Sequence, residues 1–339
     1  MSCLWGSVVA LTIGLCQRPV DAQDLSWVRL AANGSGFVLS KSDAPFHPWG
    51  FNYDHEAEGQ LLEDYWLTEW PRVESAFREM KELGANVVRV HLQFGKFMES
   101  PDTPRQESLD QLTKLLRLAE ATGLYLDVTG LGCYHKQDVP AWYDELSEPE
   151  RWQAQAAFWS AIAKTCAESP AVFCYDLMNE PVVPGGDNVR DDWLGPAFAG
   201  KHFVQFITLD RKGRDRAEIA RQWIHQLTAA IRQHDSRHLI TVGLVPWSLD
   251  RPGLTSGFVP QRIAGELDFL AVHLYPETGK QQEAIDTLAG FAEAGKTLII
   301  EETFPLKCSP EELESFLRQS RPAAQGVIGF YWGQSPEEI

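Results

Sequence analysis

The sequence predicts an α/β chain, a (β/α)₈ TIM barrel folded as a single domain with a short N-terminal β-hairpin and a long loop after the fourth strand. Three observations carry that reading. Eight short apolar runs recur along the chain, each of strand length. Longer stretches between them carry apolar residues at i, i+3 and i+4, the period of amphipathic helices; strands alternating with helices imply a parallel sheet. Several runs end in polar, chemistry-bearing residues, and the C-terminal ends of barrel strands are where such groups gather.

The hairpin comes first: an extended stretch at 27–30, the turn Asn33-Gly34-Ser35-Gly36 and a second stretch at 37–40. It is placed to plug the bottom of the barrel. Strand candidates follow at 49–53, 87–92, 125–129, 172–178, 239–242, 269–274, 298–302 and 327–332. Helical patterns lie at 71–83, 107–122, 150–167, 216–234, 281–294 and 310–319. Segment 183–215, with Pro184-Gly185-Gly186, Trp193 and Lys201, separates the fourth strand from its helix. It follows a strand's C-terminal end, where lids and substrate walls are built. Few residues follow the eighth run. Either the hairpin and neighbouring helices cover the place of an eighth helix, or the sequence is truncated.

Composition narrows the partners. The chain has 339 residues, 44% hydrophobic and 23% charged, an ordinary globular balance. A net charge of −17 argues against nucleic acid, whose phosphates it would repel, and fits a neutral ligand such as a carbohydrate. The apolar stretch 4–15 followed by Val20-Asp21-Ala22 reads as a signal peptide over 1–22, with Gln23 opening a domain over 23–339. Export to the periplasm or medium is therefore expected, although no Lys or Arg precedes the apolar stretch. A lipid anchor on Cys16 would need a smaller residue than Leu15 before it. No other membrane segment is visible, and a monomer is expected. Past the leader stand Cys133, Cys166, Cys174 and Cys308, with no Cys-x-x-Cys pair, which speaks against a thiolate zinc site. Cys174 reads as a core residue, and the sequence chooses no disulfide among the others.

The strand ends form an ordered polar inventory. The first run ends at Asn52 and Tyr53, followed by Asp54 and His55. The second carries Arg89 and His91, two residues apart and hence on one side of the strand. The third carries Asp127 and Thr129, followed by Cys133, Tyr134 and His135; the fourth ends in Asn179-Glu180-Pro181. The sixth ends in His273-Leu274-Tyr275, the seventh in Glu301-Glu302, and the eighth in Tyr331-Trp332. Two strands that each deliver a carboxylate to one end of a barrel satisfy a retaining glycosidase, which needs two carboxyls about 5 Å apart.

This set resembles the family 5 glycoside hydrolases (cellulase and mannanase types) and their wider clan of retaining barrel enzymes. Those carry Arg after strand 2, Asn-Glu after strand 4, His-x-Tyr after strand 6, Glu after strand 7 and Trp after strand 8. The matching positions are Arg89, Asn179-Glu180, His273 with Tyr275, Glu302 and Trp332, and the resemblance spans about 27–335. It implies double displacement on a β-glycosidic bond of a glucan or mannan, without a cofactor. Glu180 would be the acid/base, needing a raised pKa to hold its proton, and Asn179 would bond the sugar 2-hydroxyl. Arg89 and Tyr275 would stabilise the ionised nucleophile, His273 would orient substrate or Glu180, and Trp332 would floor the reacting sugar. Strand alternation turns only one of Glu301 and Glu302 toward the axis. The family spacing of seven residues after a Gly, here Gly295, selects Glu302 as nucleophile. One departure stands out. Asp127-Val128-Thr129 occupies a place where the family often has Asp-x-His, leaving His135 as a loop substitute.

Each residue also has a plainer reading. Asn179-Glu180-Pro181 could be helix-start chemistry, and Arg89 a structural ion-pair partner. His273 and Tyr275 could be a satisfied polar pair, and Trp332 packing. Trp142, Trp193 and Trp247 follow strands and could line subsites. The rival enzyme is a metal-dependent hydrolase using His91, His135 and His273, but no His-x-His or His-Glu-x-x-His occurs. No metal is expected. The rival without catalysis is a saccharide-binding barrel, which loss of either glutamate would signal; both are present.

Overall fold

The computed structural model describes residues 25–56, 59–186, 189–251 and 255–333. The predicted leader, with Cys16, lies outside the described residues. Eight parallel strands close into a barrel. They are β1 (Trp49–Tyr53), β2 (Val87–Gln93), β3 (Tyr125–Gly132) and β4 (Val172–Asn179). Then follow β5 (Leu239–Leu244), β6 (Leu270–His273), β7 (Leu298–Thr303) and β8 (Val327–Gly329). Every residue of β2 through β7 is buried. Helices cover one face of the sheet and the closed barrel hides the other, which is why these strands read as near-continuous apolar runs.

The outer layer comprises α1 (Trp70–Glu82), α2 (Gln106–Thr122), α3 (Glu148–Cys166) and α4 (Arg216–Arg232). It continues with α5 (Pro260–Ile263), α6 (Gln281–Ala292) and α7 (Pro310–Ser320). Six of these match the helical patterns to within two residues. The fifth, α5, is a single turn, too short to leave a periodic signal. Local chemistry fixes the ends: the Asp215 side chain accepts from the Glu218 amide at the start of α4, and Ser309 with Glu312 forms a capping box on α7. No described helix is long and apolar enough to cross a membrane.

The N-terminal hairpin pairs Val28–Leu30 antiparallel with Phe37–Leu39, and Pro45–Phe46 extends it. Val28, Phe37 and Phe46 join Val87, Tyr125, Phe173, Phe269, Ile299 and Ile328, from the starts of the barrel strands, in one apolar cluster. The Phe37 ring meets Phe173 and Phe269 edge-on, each at 5.1 Å between centroids. The hairpin therefore packs over the bottom of the barrel, opposite the C-terminal strand ends. Cys133, Cys166 and Cys174 are buried, Cys308 is partly exposed, and all four are free.

Candidate active site

Two irregularities in the sheet assemble the site. Between β4 and β5, Asp176 pairs with Thr241 but Asn179 pairs with Gly243, so β4 holds one residue too many. This bulge turns both Asp176 and Asn179 toward Arg89. Between β6 and β7, Val272 pairs with Ile300 and His273 with Glu302, which leaves Glu301 as the extra residue. The expectation that only one of Glu301 and Glu302 faces the axis is thereby corrected. Both reach Arg89, Glu301 at 3.6 Å and Glu302 in direct contact.

Arg89 stands fully buried at the centre. Its Nη1 donates to Glu302 Oε1 and, at 2.8 Å, to Asn52 Oδ1; its Nη2 donates to Asp176 Oδ2 at 2.6 Å and Asn179 Oδ1 at 3.0 Å. Asp176 is further held by the Thr129 hydroxyl at 2.9 Å and the Gly243 amide at 2.7 Å. Thr129 thus completes the buried network, whereas His135 sits on the loop beside Gly59 O. Tyr275 donates its hydroxyl to Glu302 Oε2 at 2.7 Å. His273 bridges Glu180 through Nδ1 at 3.1 Å and Glu301 through Nε2 at 3.2 Å. Glu180 itself has a backbone φ of 48°, the left-handed region that non-glycine residues enter at a cost, most often at functional sites.

Charge explains several of these contacts. Burial alone would lower the His273 pKa, but the Glu302 charge and the bonds to Glu180 and Glu301 carry it up to about 10. Both ring nitrogens donate, so His273 is an imidazolium. Glu180, His273 and Glu302 offer atoms within 4.8 Å of one another. His91 is the opposite case. Burial, then the Arg89 charge, hold it well below its usual value; neutral, it donates from Nε2 to Asn52 and accepts at Nδ1 from Tyr134. Burial, and after it the Glu301 charge, push Asp127 far up. Neither Asp127 oxygen, nor Glu301 Oε1, has a hydrogen-bond partner among the described residues. Glu302 is raised, chiefly by burial, with the Glu180 carboxylate adding to it against the pull of His273, Arg89 and Tyr275.

Above these groups opens a cleft of about 590 Å³. Glu180, His273, Tyr275 and Glu302 form its floor, and Phe203, Trp247 and Phe330 stand among its walls. The description cellulase (glycosyl hydrolase family 5) matches residues 40–308. The chain belongs to glycosyl hydrolase family 5. It is a glycosidase. Among curated proteins no sequence matches the chain. Among solved structures, an exo-β-1,4-mannosidase from Opitutaceae bacterium strain TAV5 is similar at 19% identity and a TM-score of 0.67, over 90% of this chain. The chain spans only 55% of that protein. A β-1,4-mannanase from the sea hare Aplysia kurodai shares 16% identity, with a TM-score of 0.65 over 92% of this chain and 94% of its own. An endo-1,4-β-mannanase from Rhizomucor miehei gives 18% and 0.62, covering 91% and 90%. At such identities the likeness is one of fold.

Six residues expected at the site of this family 5 chain come together: Arg89, Asn179, Glu180, His273, Tyr275 and Glu302. Trp332 does not. β8 ends at Gly329, three residues short of the expected 332, and Trp332 lies past the turn against Phe51 on the outer side of β1, with ring centroids 5.5 Å apart. Phe330 takes the place beside Glu302. Of the three loop tryptophans only Trp247 lines the cleft; Trp142 packs on Phe94, and Trp193 is buried under Arg151. Sequence reasoning missed Asp176 and Gly243. Asp176 stands three residues before Asn179, and only the bulge brings the two together. A Cβ on Gly243 would lie 2.8 Å from His273 Nε2 and 3.2 Å from Arg89 Nη2, so that backbone must stay bare for the site to close.

Proposed function

We propose that the chain hydrolyses β-glycosidic bonds of a glucan or mannan with retention, Glu180 acting as acid/base and Glu302 as nucleophile. One observation carries the reading: an oxygen of Glu180 and an oxygen of Glu302 lie within 4.8 Å. Retaining enzymes hold their carboxyls about 5–5.5 Å apart, and inverting ones leave about 6.5–9.5 Å for a water.

The hydrogen bonds divide the labour. Glu302 accepts from Arg89 and Tyr275, with His273 Nδ1 at 3.5 Å, so negative charge on it is well supported. Among the described residues Glu180 accepts from His273 alone, leaving its other oxygen for a leaving group. In the first step Glu302 attacks the anomeric carbon while Glu180 gives its proton to the glycosidic oxygen. In the second, Glu180 takes a proton from water, which displaces Glu302. Asn179 Oδ1 is bound to Arg89 and its Nδ2 to Phe203 O at 3.1 Å, a fixed amide that suits the 2-hydroxyl. The sugar packs on Phe330, and the leaving chain runs along Trp247. The names of the structural neighbours, mannosidase and mannanase, favour a β-mannan, and the leader-like 1–22 favours export.

The test is sugar release from a panel of β-glucans, β-mannans, xylans and short β-oligosaccharides. Glu180→Gln is expected to lower kcat by about 10²–10⁴-fold on natural substrates, and much less on aryl glycosides whose leaving group needs no proton. Glu302→Gln is expected to abolish release from all of them. Equal activity in either variant, or no release from any substrate by the native chain, would overturn the reading.

A further inference from the structure

A two-carboxylate mechanism uses Glu180 and Glu302 and leaves a third carboxylate without a task. Glu301 is fully buried and does not line the cleft, so it cannot touch a sugar. A buried carboxylate is costly unless charges or hydrogen bonds compensate it. Here the compensation is the His273 ring, whose Nε2 lies 3.2 Å from Glu301 Oε2, with Arg89 Nη2 at 3.6 Å. Burial would raise the Glu301 pKa, but the Arg89 charge and the His273 bond hold it below its usual value. Glu301 is therefore ionised.

The other ring nitrogen meets both working carboxylates. His273 Nδ1 stands 3.1 Å from Glu180 Oε1 and 3.5 Å from Glu302 Oε2. Among the described residues, carboxylate oxygens are thus the polar partners of both nitrogens. A neutral imidazole carries one N–H and one lone pair, and either tautomer would set the lone pair against a carboxylate. Two protons satisfy every contact. The remaining groups around the ring do not supply the second one. Arg89 on β2 opposes it, and His91 on the same strand is neutral. Asp176 on β4 is engaged by Arg89, Thr129 and the Gly243 amide. Tyr275 donates its hydroxyl to Glu302, and β5 turns only the Gly243 backbone toward the ring.

The place of Nδ1 matters because negative charge moves during the reaction. At the start Glu302 is ionised and Glu180 holds the proton. As Glu302 bonds the anomeric carbon, the glycosidic bond breaks and Glu180 gives its proton to the leaving oxygen. Glu302 is then a neutral ester and Glu180 carries the charge. One N–H within reach of both oxygens faces whichever is ionised, and no side chain has to move.

We propose that Glu301 is a positioning residue that keeps the second proton on His273, so that acid/base and nucleophile share one fixed positive charge through both steps. The inference rests on the retaining-glycosidase reading, which assigns Glu180 and Glu302 their roles.

The experiment follows the His273 ring by nitrogen-15 NMR in the native chain and in Glu301→Gln, beside the pH profile of kcat/KM for sugar release. The native ring is expected to hold both protons through about pH 8. In the variant the second proton is expected to leave about three units lower, the upper reach of one opposite charge in a buried site. A native ring with a single proton at about pH 7, or an unchanged midpoint in the variant, overturns the inference. The basic limb of the profile adds a sign. It reports loss of the Glu180 proton, and a neutral ring no longer favours the ionised form. The limb is therefore expected about one unit higher in Glu301→Gln. Were the ring to keep its proton, removing the Glu301 charge alone would lower that limb, so a lower or unmoved limb overturns the inference. A purely structural Glu301 would reduce kcat and leave ring midpoint and limb in place. If Glu301→Gln does not fold, Glu301→Asp retracts the carboxylate by one methylene; a lowered ring midpoint supports the inference and an equal one overturns it. If the native chain releases no sugar, the retaining reading falls, and the ring midpoint alone decides whether Glu301 holds the proton.

Discussion

Glu302 works with a proton balance that its neighbours set. Burial and the Glu180 carboxylate raise its pKa, and Tyr275 is one of three groups that pull it back. The acid limb of the kcat/KM profile, which reports the ionisation of the nucleophile, is therefore expected above the ordinary carboxylate range. Tyr275→Phe removes a bond to the ionised form, so the protonated form gains and the limb moves to higher pH, by about one unit for a bond worth roughly 1.4 kcal/mol. A limb that stays in place, or moves to lower pH, would detach Tyr275 from the nucleophile. At this scale the side chains were legible in the sequence wherever a strand end announced them, as with Arg89, Glu180 and His273. Asp176 was not singled out, because only the bulge in β4 brings it to Arg89.

At the scale of single elements, bulges decide which residues meet. Period-two alternation cannot foresee that Glu301 and Glu302 both face Arg89, nor that Asp176 joins Asn179, since each bulge adds one residue without a compositional mark. Trp332 was expected in the cleft from the resemblance, with the eighth run taken through 332, but strand pairing ends at Gly329. Gly243 shows what β5 contributes. Gly243→Ala is expected to push His273 and Arg89 apart and lower kcat by at least about tenfold, although residue 243 has no side chain with which to touch substrate; unchanged kinetics would show that the network yields freely. The hairpin, by contrast, was readable from its turn and its place before the first strand. Phe37→Ala should cost about 3–5 kcal/mol, the usual range for a buried phenylalanine, measured by denaturant unfolding with Phe37 only 2% exposed. A loss under 1 kcal/mol would mean that the hairpin merely covers the barrel bottom.

For the molecule as a whole, eight apolar runs and their polar ends were enough to give the barrel and its family, because a buried parallel sheet leaves a loud signal. The buried charge network was not readable, since it depends on contacts between strands far apart in sequence. That network ties stability to pH. His273 has its folded pKa raised from 6.5 to about 10, so its stabilising contribution is complete below about pH 6.5 and is lost as pH rises toward 10. The stability gap between the native chain and His273→Gln should accordingly be widest near pH 6 and narrow steadily toward pH 10; a gap that widens instead would mean that the ring is buried neutral. The central claim is that two carboxylates share one retaining mechanism, with Glu302 as the nucleophile that bonds the anomeric carbon. The most direct measurement is mass spectrometry of the protein after reaction with a 2-deoxy-2-fluoro β-glycosyl fluoride, followed by peptide mapping. One sugar attached at Glu302, and none in Glu302→Gln, is the expected result; attachment at Glu301, or turnover with inverted configuration and no adduct, would contradict it.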